Sequence, residues 1–361
     1  MTEREKIIIV ALPGIGDALL ATPMIRLLRE AKPDAEIHAL VMFGATRDLL
    51  STNPNVDHIH YYDFIRSPKL EGLLYLMHLR RMNFDSSINI YPQNRWQYNI
   101  FALLLGASRR LGIRYKRRDW YNLSWLCNET ITEDDNLHCV EENVKLLSLL
   151  NIKHELSEET LPKLEVYITN DHEDVANEWL KEKGLLSADR LVGFHAGTAL
   201  FKNHISRRWA PEKFAELGKR LHAEGATVLL FGGPDDIDAN EIIMRESQSS
   251  IIEVKTKSIM DSVALMKRMN VFVSNDSSLM HIAGGLGLPT VGIFGPTNET
   301  YVHPWKTDYE IIQTGIECRP CFVYSTKPLI CYRKNPDEHF MCIRDIEVDT
   351  VFEAVNRKLL A

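Results

Sequence analysis

The stretch IIIVALPGIGDALLATPMIRLLREA, residues 7–31, decides the fold class. Its first six residues form an apolar run of strand length, and residues 17–31 repeat apolar side chains at helical spacing. The turn PGIGD, residues 13–17, joins the two. A buried strand that leads directly into an amphipathic helix is the unit from which helix-covered parallel sheets are built.

The same alternation recurs on both sides of a charged segment, 132–190, whose pattern is mostly helical and which should contain the linker. Before it, we predict strands at 36–42, 85–90 and 108–113 and helices near 70–82 and 97–105; after it, strands at 190–197, 226–233, 271–276 and 289–296 and a helix at 211–224. The sequence therefore predicts an α/β protein of two Rossmann-like, doubly wound domains facing across a cleft. We expect domains at 1–165 and 166–345, and a helix at 346–361 that returns to the first domain.

Composition excludes several classes of protein. A chain of 361 residues, 45% hydrophobic and 25% charged, fits a globular protein of two domains. The net charge of −7 argues against a nucleic-acid partner, whose binding surface would be basic. The absence of an 18-residue apolar run and of a signal-peptide pattern predicts a cytoplasmic protein without a membrane span.

The turn at residues 13–17 supplies the first candidate site, because ligands bind beyond the carboxyl ends of parallel strands. Gly14 and Gly16 let the backbone turn tightly and approach a ligand closely. Asp17 begins the following helix, where the helix dipole keeps a carboxylate ionised and able to accept a proton from a sugar hydroxyl. The competing interpretation is an ordinary helix-start residue. Leu19 stands where a dinucleotide-binding fingerprint has its third glycine, which weakens an oxidoreductase interpretation.

The second half offers candidate binders of a diphosphate. Thr198 follows a strand in the turn HAGT, and Arg207 precedes a helix. The stretch NDSSLMH, residues 275–281, follows another strand and caps a helix with small polar side chains, which include Asp276, Ser277 and Ser278 and lead to His281. Each feature also has an ordinary interpretation as a turn, a solvated cation, a helix cap or a core histidine.

Two patterns concern metals. Asp236-Ile237-Asp238 is formally a D-x-D motif, but it lies in a polar turn where such matches arise by chance, so we favour metal-free catalysis. Four cysteines near the end of the sequence follow the order of metal ligands, with a C-x-x-C pair first: Cys318, Cys321, Cys331 and Cys342. They predict a structural zinc or iron site, and reduced, unliganded thiols are the alternative.

A basic stretch stands out in this acidic protein. Its cations are Arg109, Arg110, Arg114, Lys116, Arg117 and Arg118, and its aromatic residues are Trp120, Tyr121 and Trp125. Cations beside aromatic rings suit an anionic, lipid-linked acceptor at a membrane surface. A solvated loop explains the same pattern.

Four segments together resemble glycosyltransferase family 9, the bacterial heptosyltransferases of lipopolysaccharide synthesis. They are PGIGDALLATPMIRLLREAKPDAEI, RRWAPEKFAEL, LLFGGPDD and NDSSLMHIAGGLGLPTVGIFGPT. The resemblance implies a GT-B fold, an ADP-heptose donor, inversion at the anomeric carbon and no catalytic metal. It also implies a lipopolysaccharide-core or related glycan acceptor, and peripheral contact with the inner face of the inner membrane.

The resemblance also assigns roles to residues. Asp17 matches the catalytic base, and Thr198 matches a donor-contacting position. Arg207 stands where many members have a phosphate-binding lysine. Asp276, Ser277, Ser278 and His281 match the D-[ST]-x-x-x-H donor turn, and Asp235 or Asp236 falls where an acid contacts the ribose. Comparable four-cysteine segments recur in some members. A nucleotide-sugar epimerase, an oxidoreductase and a non-catalytic nucleotide-sugar-binding protein remain the alternatives.

Overall fold

The computed structural model describes residues 4–93, 95–116, 119–199, 201–322 and 328–360. These residues form two compact units, the first ending at Tyr167 and the second beginning at Ile168. Each unit is built on one six-stranded sheet whose neighbouring strands run parallel. The prediction of two doubly wound α/β domains is confirmed, and the division falls two residues beyond the predicted boundary at 165.

The first unit has the strand order β3-β2-β1-β4-β5-β6. Its strands are β1 (Lys6–Ala11), β2 (Glu36–Val41), β3 (His58–Tyr61), β4 (Ser86–Asn89), β5 (Arg109–Arg114) and β6 (Glu129–Thr132). Its helices are α1 (Ile15–Leu20), α2 (Thr22–Ala31), α3 (Gly44–Ser51), α4 (Lys69–Arg80), α5 (Trp96–Leu105), α6 (Asp119–Asn122) and α7 (Cys139–Lys145). The direction in which strands are added reverses between β1 and β4.

The second unit has the strand order β12-β11-β10-β7-β8-β9. Its strands are β7 (Leu191–His195), β8 (Thr227–Phe231), β9 (Ile251–Glu253), β10 (Val271–Asn275), β11 (Thr290–Ile293) and β12 (Tyr309–Ile312). Its helices are α8 (Asn170–Glu182), α9 (Pro211–Ala223), α10 (Ile237–Glu246), α11 (Ile259–Met266), α12 (Ser278–Gly285), α13 (Glu299–Val302), α14 (Met341–Arg344) and α15 (Val348–Leu360). Here the reversal lies between β7 and β10.

One local prediction is wrong in detail. The helix expected at 17–31 is two helices, α1 and α2, separated at Ala21, because Pro23 occupies the first turn of α2 and starts a new helix there. The segment 132–190 is helical in α7 and α8, and residues 152–169, which form neither helix nor strand, contain the division between the two units.

The last helix belongs to the second unit, which corrects the expectation that it returns to the first domain. Val351, Ala354 and Val355 of α15 are fully buried in the hydrophobic core of the second unit. The indole N–H of Trp209, just before α9, donates to the backbone oxygen of Ile346 at 2.9 Å, which fixes the approach to this helix. The apolar face of α15 is therefore used within the second unit itself.

Candidate functional site

The candidate residues gather at the point in each sheet where the strand order reverses. Parallel doubly wound sheets bind ligands at this point, beyond the carboxyl ends of the strands. In the first sheet, the loop after β1 carries Asp17, and β1 pairs with β4. In the second sheet, β7 pairs with β10, and the loops after these two strands carry Thr198 and Asp276. Residues far apart in sequence are thus brought to one place within each unit.

Asp17 lies in the first turn of α1 and is half-buried. The N-cap of this helix is Gly14, which offers no side chain to the first amides, so the helix dipole favours a carboxylate there. The charge of Asp17 also affects the pKa of Tyr98 in α5. Burial raises the pKa of Tyr98 to about 12, the charge of Arg95 opposes that rise, and the charge of Asp17 adds to it. Asp17 therefore shares its surroundings with Arg95 and Tyr98, neither of which the sequence pattern identified.

Gly14 does not need the backbone freedom of glycine. Its φ is −63° and its ψ is 173°, a conformation open to any residue. A Cβ at this position would lie 3.9 Å from Oδ2 of Asp17, an ordinary contact. Other residues could therefore form this turn at position 14 as well. Close approach of a ligand at Gly14 and at Gly16, which is buried in α1, stays a prediction.

Gln93 is a further candidate in the first unit. It follows β4, on the other side of the strand reversal from Asp17, and is only 3% exposed. Its backbone N–H donates to the hydroxyl of Tyr115 at 2.6 Å, but neither polar atom of its side-chain amide has a partner among the described residues. A buried amide without partners is costly unless a ligand or water completes it. The position of Gln93 in the polar stretch after the predicted strand DSSINI could have indicated this candidate from the sequence.

In the second unit, four side chains form one hydrogen-bonded network beyond β7 and β8. Asp236 accepts from Arg208 at 2.9 Å and lies 3.3 Å from Nε2 of His195. Arg208 also donates to the backbone oxygens of Thr198 and Asp235, and its Nε lies 3.2 Å from Oγ1 of Thr198. The predicted residue Thr198 is thus held by Arg208 and is 6% exposed.

Asp236 is ionised within this network. Burial opposes ionisation, but the hydrogen bond and charge of His195, the backbone N–H of Gly233 and the charge of Arg208 together lower the pKa of Asp236. The network also explains why residue 197 is a glycine. A Cβ there would lie 2.0 Å from Oδ1 of Asp236 and 2.6 Å from Nε2 of His195, so only glycine lets the turn after β7 pass this close.

Asp276 and Arg207 form a second charged pair, beyond β10. Arg207 donates to the carboxylate of Asp276 and, at 3.1 Å, to its backbone oxygen. The guanidinium lies 4.7 Å from the centre of the Phe322 ring, within cation–π range. Its Nε is buried and has no hydrogen-bond partner among the described residues. The structure therefore brings together the two residues that the sequence proposed separately, and leaves one donor of Arg207 unused.

The start of α12 completes this group. Ser277 is the N-cap, but its side chain does not cap the helix; Oγ instead lies 2.8 Å from Nδ1 of His195 and 3.0 Å from Oγ of Ser274. The first amides of α12, which begins at Ser278, are therefore not used by that side chain. His281 is 5% exposed, and burial lowers its pKa to about 4, so its ring is neutral at pH 7.

Of the two neighbouring acids, the structure brings Asp236 rather than Asp235 into the network, because Asp235 is exposed and takes part only through its backbone oxygen. Asp238 is also exposed, whereas Asp236 is held by His195 and Arg208. The two acids of the D-x-D pattern thus have different surroundings. The contacts of His195 and Arg208 were not predicted from the sequence, although His195 lies in the turn HAGT and Arg208 follows Arg207.

The four cysteines meet at one cavity in the second unit. Cys318, Cys321, Cys331 and Cys342 all line it, together with Arg319, Arg333 and Phe340. Burial, together with the charges of the other three cysteines, raises the pKa of Cys342 to about 11. No three of the four sulfurs lie within 4.8 Å of one another, although all four cysteines are among the described residues. The donor set fits a tetrathiolate metal, whose ligands would have to move closer together.

In the basic stretch, cations form salt bridges and the aromatic side chains are exposed to solvent. Arg109 forms two hydrogen bonds to Glu129, both 2.7 Å long, and Lys116 pairs with Asp135 at 3.2 Å. Arg117 and Arg118 lie outside the described residues. The three predicted aromatic side chains are exposed by 75% at Trp120, 76% at Tyr121 and 53% at Trp125. In the described part of the chain, no helix is long and apolar enough to cross a membrane.

Comparison with known proteins supports the sequence resemblance. The chain is 25% identical over 302 residues to lipopolysaccharide heptosyltransferase 3 of Escherichia coli, a match that covers 81% of this chain and 84% of that protein. It is also 25% identical over 323 residues to lipopolysaccharide heptosyltransferase 2 of Salmonella typhimurium, covering 85% and 88% respectively.

Solved structures share the fold. A glycosyltransferase family 9 protein from Veillonella parvula matches with a TM-score of 0.78 at 21% identity, over 99% of this chain and 97% of that one. The E. coli ADP-heptose heptosyltransferase II matches with a TM-score of 0.74 at 22% identity, over 98% of each chain. An iron-containing dodecameric glycosyltransferase from E. coli matches with a TM-score of 0.60 at 13% identity, over 100% of this chain and 80% of that one. The two doubly wound units are therefore those of a GT-B fold.

The family model described as glycosyltransferase family 9 (heptosyltransferase) matches residues 75–330, which is most of the chain. That span contains β4, which pairs with β1, and the whole network around Asp236 and Asp276. The chain belongs to glycosyltransferase family 9.

Proposed function

We propose that the protein transfers heptose from ADP-heptose to the lipopolysaccharide core or a related glycan, with inversion at the anomeric carbon and without a catalytic metal. The heptosyltransferases among its relatives support the sugar and the acceptor. The observation that carries the proposal is the network at the strand reversal of the second sheet. It joins the turn after β7, two arginines and the uncapped start of α12.

This network suits a nucleotide diphosphate, and we call it the donor network; its members are His195, Thr198, Arg207, Arg208, Asp236, Asp276 and Ser277. The side chain of Ser277 does not accept a hydrogen bond from the first amides of α12. The Nε–H of Arg207 has no acceptor among the described residues. Helix amides and guanidinium groups are the usual partners of phosphate oxygens. Asp276 and Asp236 hold the two arginines in place, so the donors are oriented before the ligand arrives.

The reaction proceeds as a single displacement. Asp17 accepts the proton of an acceptor hydroxyl while its oxygen attacks the anomeric carbon, and the bond from that carbon to the diphosphate oxygen breaks. The negative charge that grows on the leaving diphosphate meets Arg207 and the amides at Ser277 and Ser278. Nearby Arg95 and Tyr98 form the polar surroundings in which Asp17 works.

The variant Asp17→Asn tests the base directly. It preserves shape and removes the proton acceptor, so heptose transfer should fall by about 100-fold or more while the affinity for ADP changes less than about two-fold. Transfer is measured by ADP release with an acceptor, and ADP binding by calorimetry. Asp34→Asn, an exposed carboxylate in the turn before β2, is the matched control and should retain full activity. An Asp17→Asn enzyme with half the normal rate refutes the role of base.

We also propose that the four cysteines hold a structural zinc or iron ion. Their convergence on one cavity supports this, and such an ion would cross-link the segment from Cys318 to Cys342. Protein purified without chelator should contain about one equivalent of thiolate-bound metal by mass spectrometry, and Cys318→Ser should lose that equivalent. Cys127→Ser, a buried cysteine of the first unit, should not. Less than about a tenth of an equivalent in the wild type contradicts the proposal.

A third proposal concerns location: the enzyme works in the cytoplasm and contacts the inner membrane through Trp120, Tyr121 and Trp125. Their exposure supports it, since indole and phenol rings favour the membrane interface. Binding to anionic lipid vesicles should weaken in the variant Trp120→Ala/Trp125→Ala and persist in Tyr61→Ala, an exposed aromatic elsewhere on this unit. Equal vesicle binding by all three proteins counts against a contact through these rings.

A further inference from the structure

Strands β2 and β3 carry a cluster of histidine and glutamate side chains on one face of the first sheet. Glu36 and His38 are two residues apart on β2 and therefore point to the same side. His58 lies directly opposite His38 in the parallel register, and His60 lies opposite Leu40. None of these residues belongs to the loops that carry Asp17 or Gln93. Glu36 and His58 are the first residues of their strands, whereas those loops follow the last residues of β1 and β4.

The distances from Glu36 to the two histidines are as short as a bound ion requires. Oε1 of Glu36 lies 3.2 Å from Nε2 of His38 and 3.0 Å from Nε2 of His58. Ligands at about 2.1 Å from a tetrahedral zinc ion lie about 3.4 Å from one another. Among the described residues, this is the one group of three potential ligands whose atoms all lie within 4.8 Å of each other.

Hydrogen bonding at His38 favours a ligand over an ion pair. Its side chain is 1% exposed, and Nε2 has no hydrogen-bond partner among the described residues, although the carboxylate of Glu36 is close. Nδ1 of the same ring lies 2.9 Å from Nε2 of His60. If Nδ1 carries the proton and donates to His60, Nε2 presents a lone pair towards Glu36 and His58. This is the arrangement in which an outer hydrogen bond orients a metal-binding imidazole.

The surroundings support the cluster and leave one side open. The ring of Phe84 packs edge-on against His38, with the ring centres 5.0 Å apart, and holds that ring in place. The side chain of His58, in contrast, is 52% exposed and that of Glu36 is 26% exposed. An ion can therefore enter from solvent, and three protein ligands leave a fourth position for water.

We propose that Glu36, His38 and His58 bind a divalent transition-metal ion, with zinc as the best fit to two imidazoles and one carboxylate. The ion ties the edge strand β3 to β2, and His60 orients His38. The proposal is independent of heptose transfer, because no residue of the cluster is part of the proposed catalytic or donor network. It is also distinct from the four-cysteine site, which offers sulfur ligands in the other unit.

The test uses the full-length protein without an affinity tag. Zinc chloride is titrated into the wild type, His58→Ala and Glu36→Gln, with His222→Ala, an exposed histidine of α9, as the matched control. Zinc affinity at this site should fall by about ten-fold or more in the first two variants and remain unchanged in the control. The affinity of Cys318→Ser for zinc at this site should equal that of the wild type.

A second measurement identifies the ligands and guards against misfolding. Cobalt(II) bound at this site should give visible ligand-field bands that disappear in His58→Ala and persist in Cys318→Ser. These bands should come without near-ultraviolet charge-transfer bands, because those bands arise from thiolate ligands and not from nitrogen or oxygen ligands. Circular dichroism checks that each variant is folded. The proposal is overturned if folded His58→Ala binds zinc as tightly as the wild type, or if the wild type shows cobalt bands of thiolate origin alone.

Discussion

Replacement of Gly197 by alanine should disrupt the donor network through one added methyl group. A Cβ at this position would stand 2.0 Å from Oδ1 of Asp236 and 2.6 Å from Nε2 of His195, whereas ordinary contacts begin near 3.4 Å. Relative to this methyl group, Oδ1 of Asp236 must therefore move by more than an ångström, and Nε2 of His195 must move by a smaller distance. Asp236 is not a flexible chain end, since Arg208 at 2.9 Å and the backbone N–H of Gly233 at 2.9 Å both hold it.

The cost follows from the contacts that this movement breaks. Adding a methyl group to a tightly packed site costs about 1–3 kcal/mol. Breaking a buried ion pair costs about 3–5 kcal/mol when a charge is left without its partner. Because Asp236 keeps some of its partners after a shift, we expect Gly197→Ala to lower the free energy of unfolding by about 2–4 kcal/mol. ADP affinity should fall by about ten-fold or more, because Arg208 and Thr198 move with Asp236.

Gly233→Ala is the matched control. A Cβ at Gly233 would lie 3.9 Å from Oδ2 of the same Asp236, an ordinary contact, and its backbone is extended, with a φ of −116°. Urea unfolding and ADP calorimetry should therefore separate Gly197→Ala from Gly233→Ala, which should behave as the wild type. If Gly197→Ala binds ADP within two-fold of Gly233→Ala and unfolds at the same urea concentration, the network around Asp236 does not support donor binding.

Three further predictions follow from single side chains. Burial raises the pKa of Glu142 from 4.5 to about 7. The protonated side chain therefore stabilises the fold, and this contribution of about 3 kcal/mol is complete below pH 4.5 and is lost as the pH rises to 7. Urea unfolding of Glu142→Gln should show a flatter pH dependence over this range. Trp209→Phe should cost about 1 kcal/mol through the lost bond to Ile346, whereas Trp209→Ala should cost about 3–5 kcal/mol in the same assay. Arg208→Lys should weaken ADP binding by about ten-fold in calorimetry, because an ammonium cannot keep the fork of bonds that Arg208 makes.

The elements that position the candidate site could be predicted from the sequence because their pattern is local. An apolar run, a turn and an amphipathic helix describe β1 and α1, and the same logic located β7, β10 and the start of α12. Since parallel strands end at one edge of a sheet, loops after those strands were expected to share a site. Asp17 and Asp276 were found in this way, without knowledge of their neighbours.

The features that could not be predicted depend on tertiary packing. Residues 152–169 lie between the two predicted helical stretches and form neither helix nor strand, and the backbone N–H of Glu165 donates to the hydroxyl of Thr22 at 3.0 Å. The apolar stripe of α15 indicated only that this helix packs on something. Which domain it covers was decided by contacts such as that of Arg220 with Asp349, 129 residues apart.

The donor network shows most clearly what sequence order hides. Arg207 and Arg208 are adjacent and of one type, yet Arg207 pairs with Asp276 and Arg208 pairs with Asp236. Each arginine meets its own carboxylate, so the two cations predicted to attract a diphosphate are already balanced by two buried acids. We therefore predict that donor recognition depends on hydrogen-bond donors fixed in direction, namely the first amides of α12 and the Nε–H of Arg207, more than on net positive charge. In the proposed donor site the carboxylates orient the arginines, which gives the acidic side chains a place in an anion-binding site.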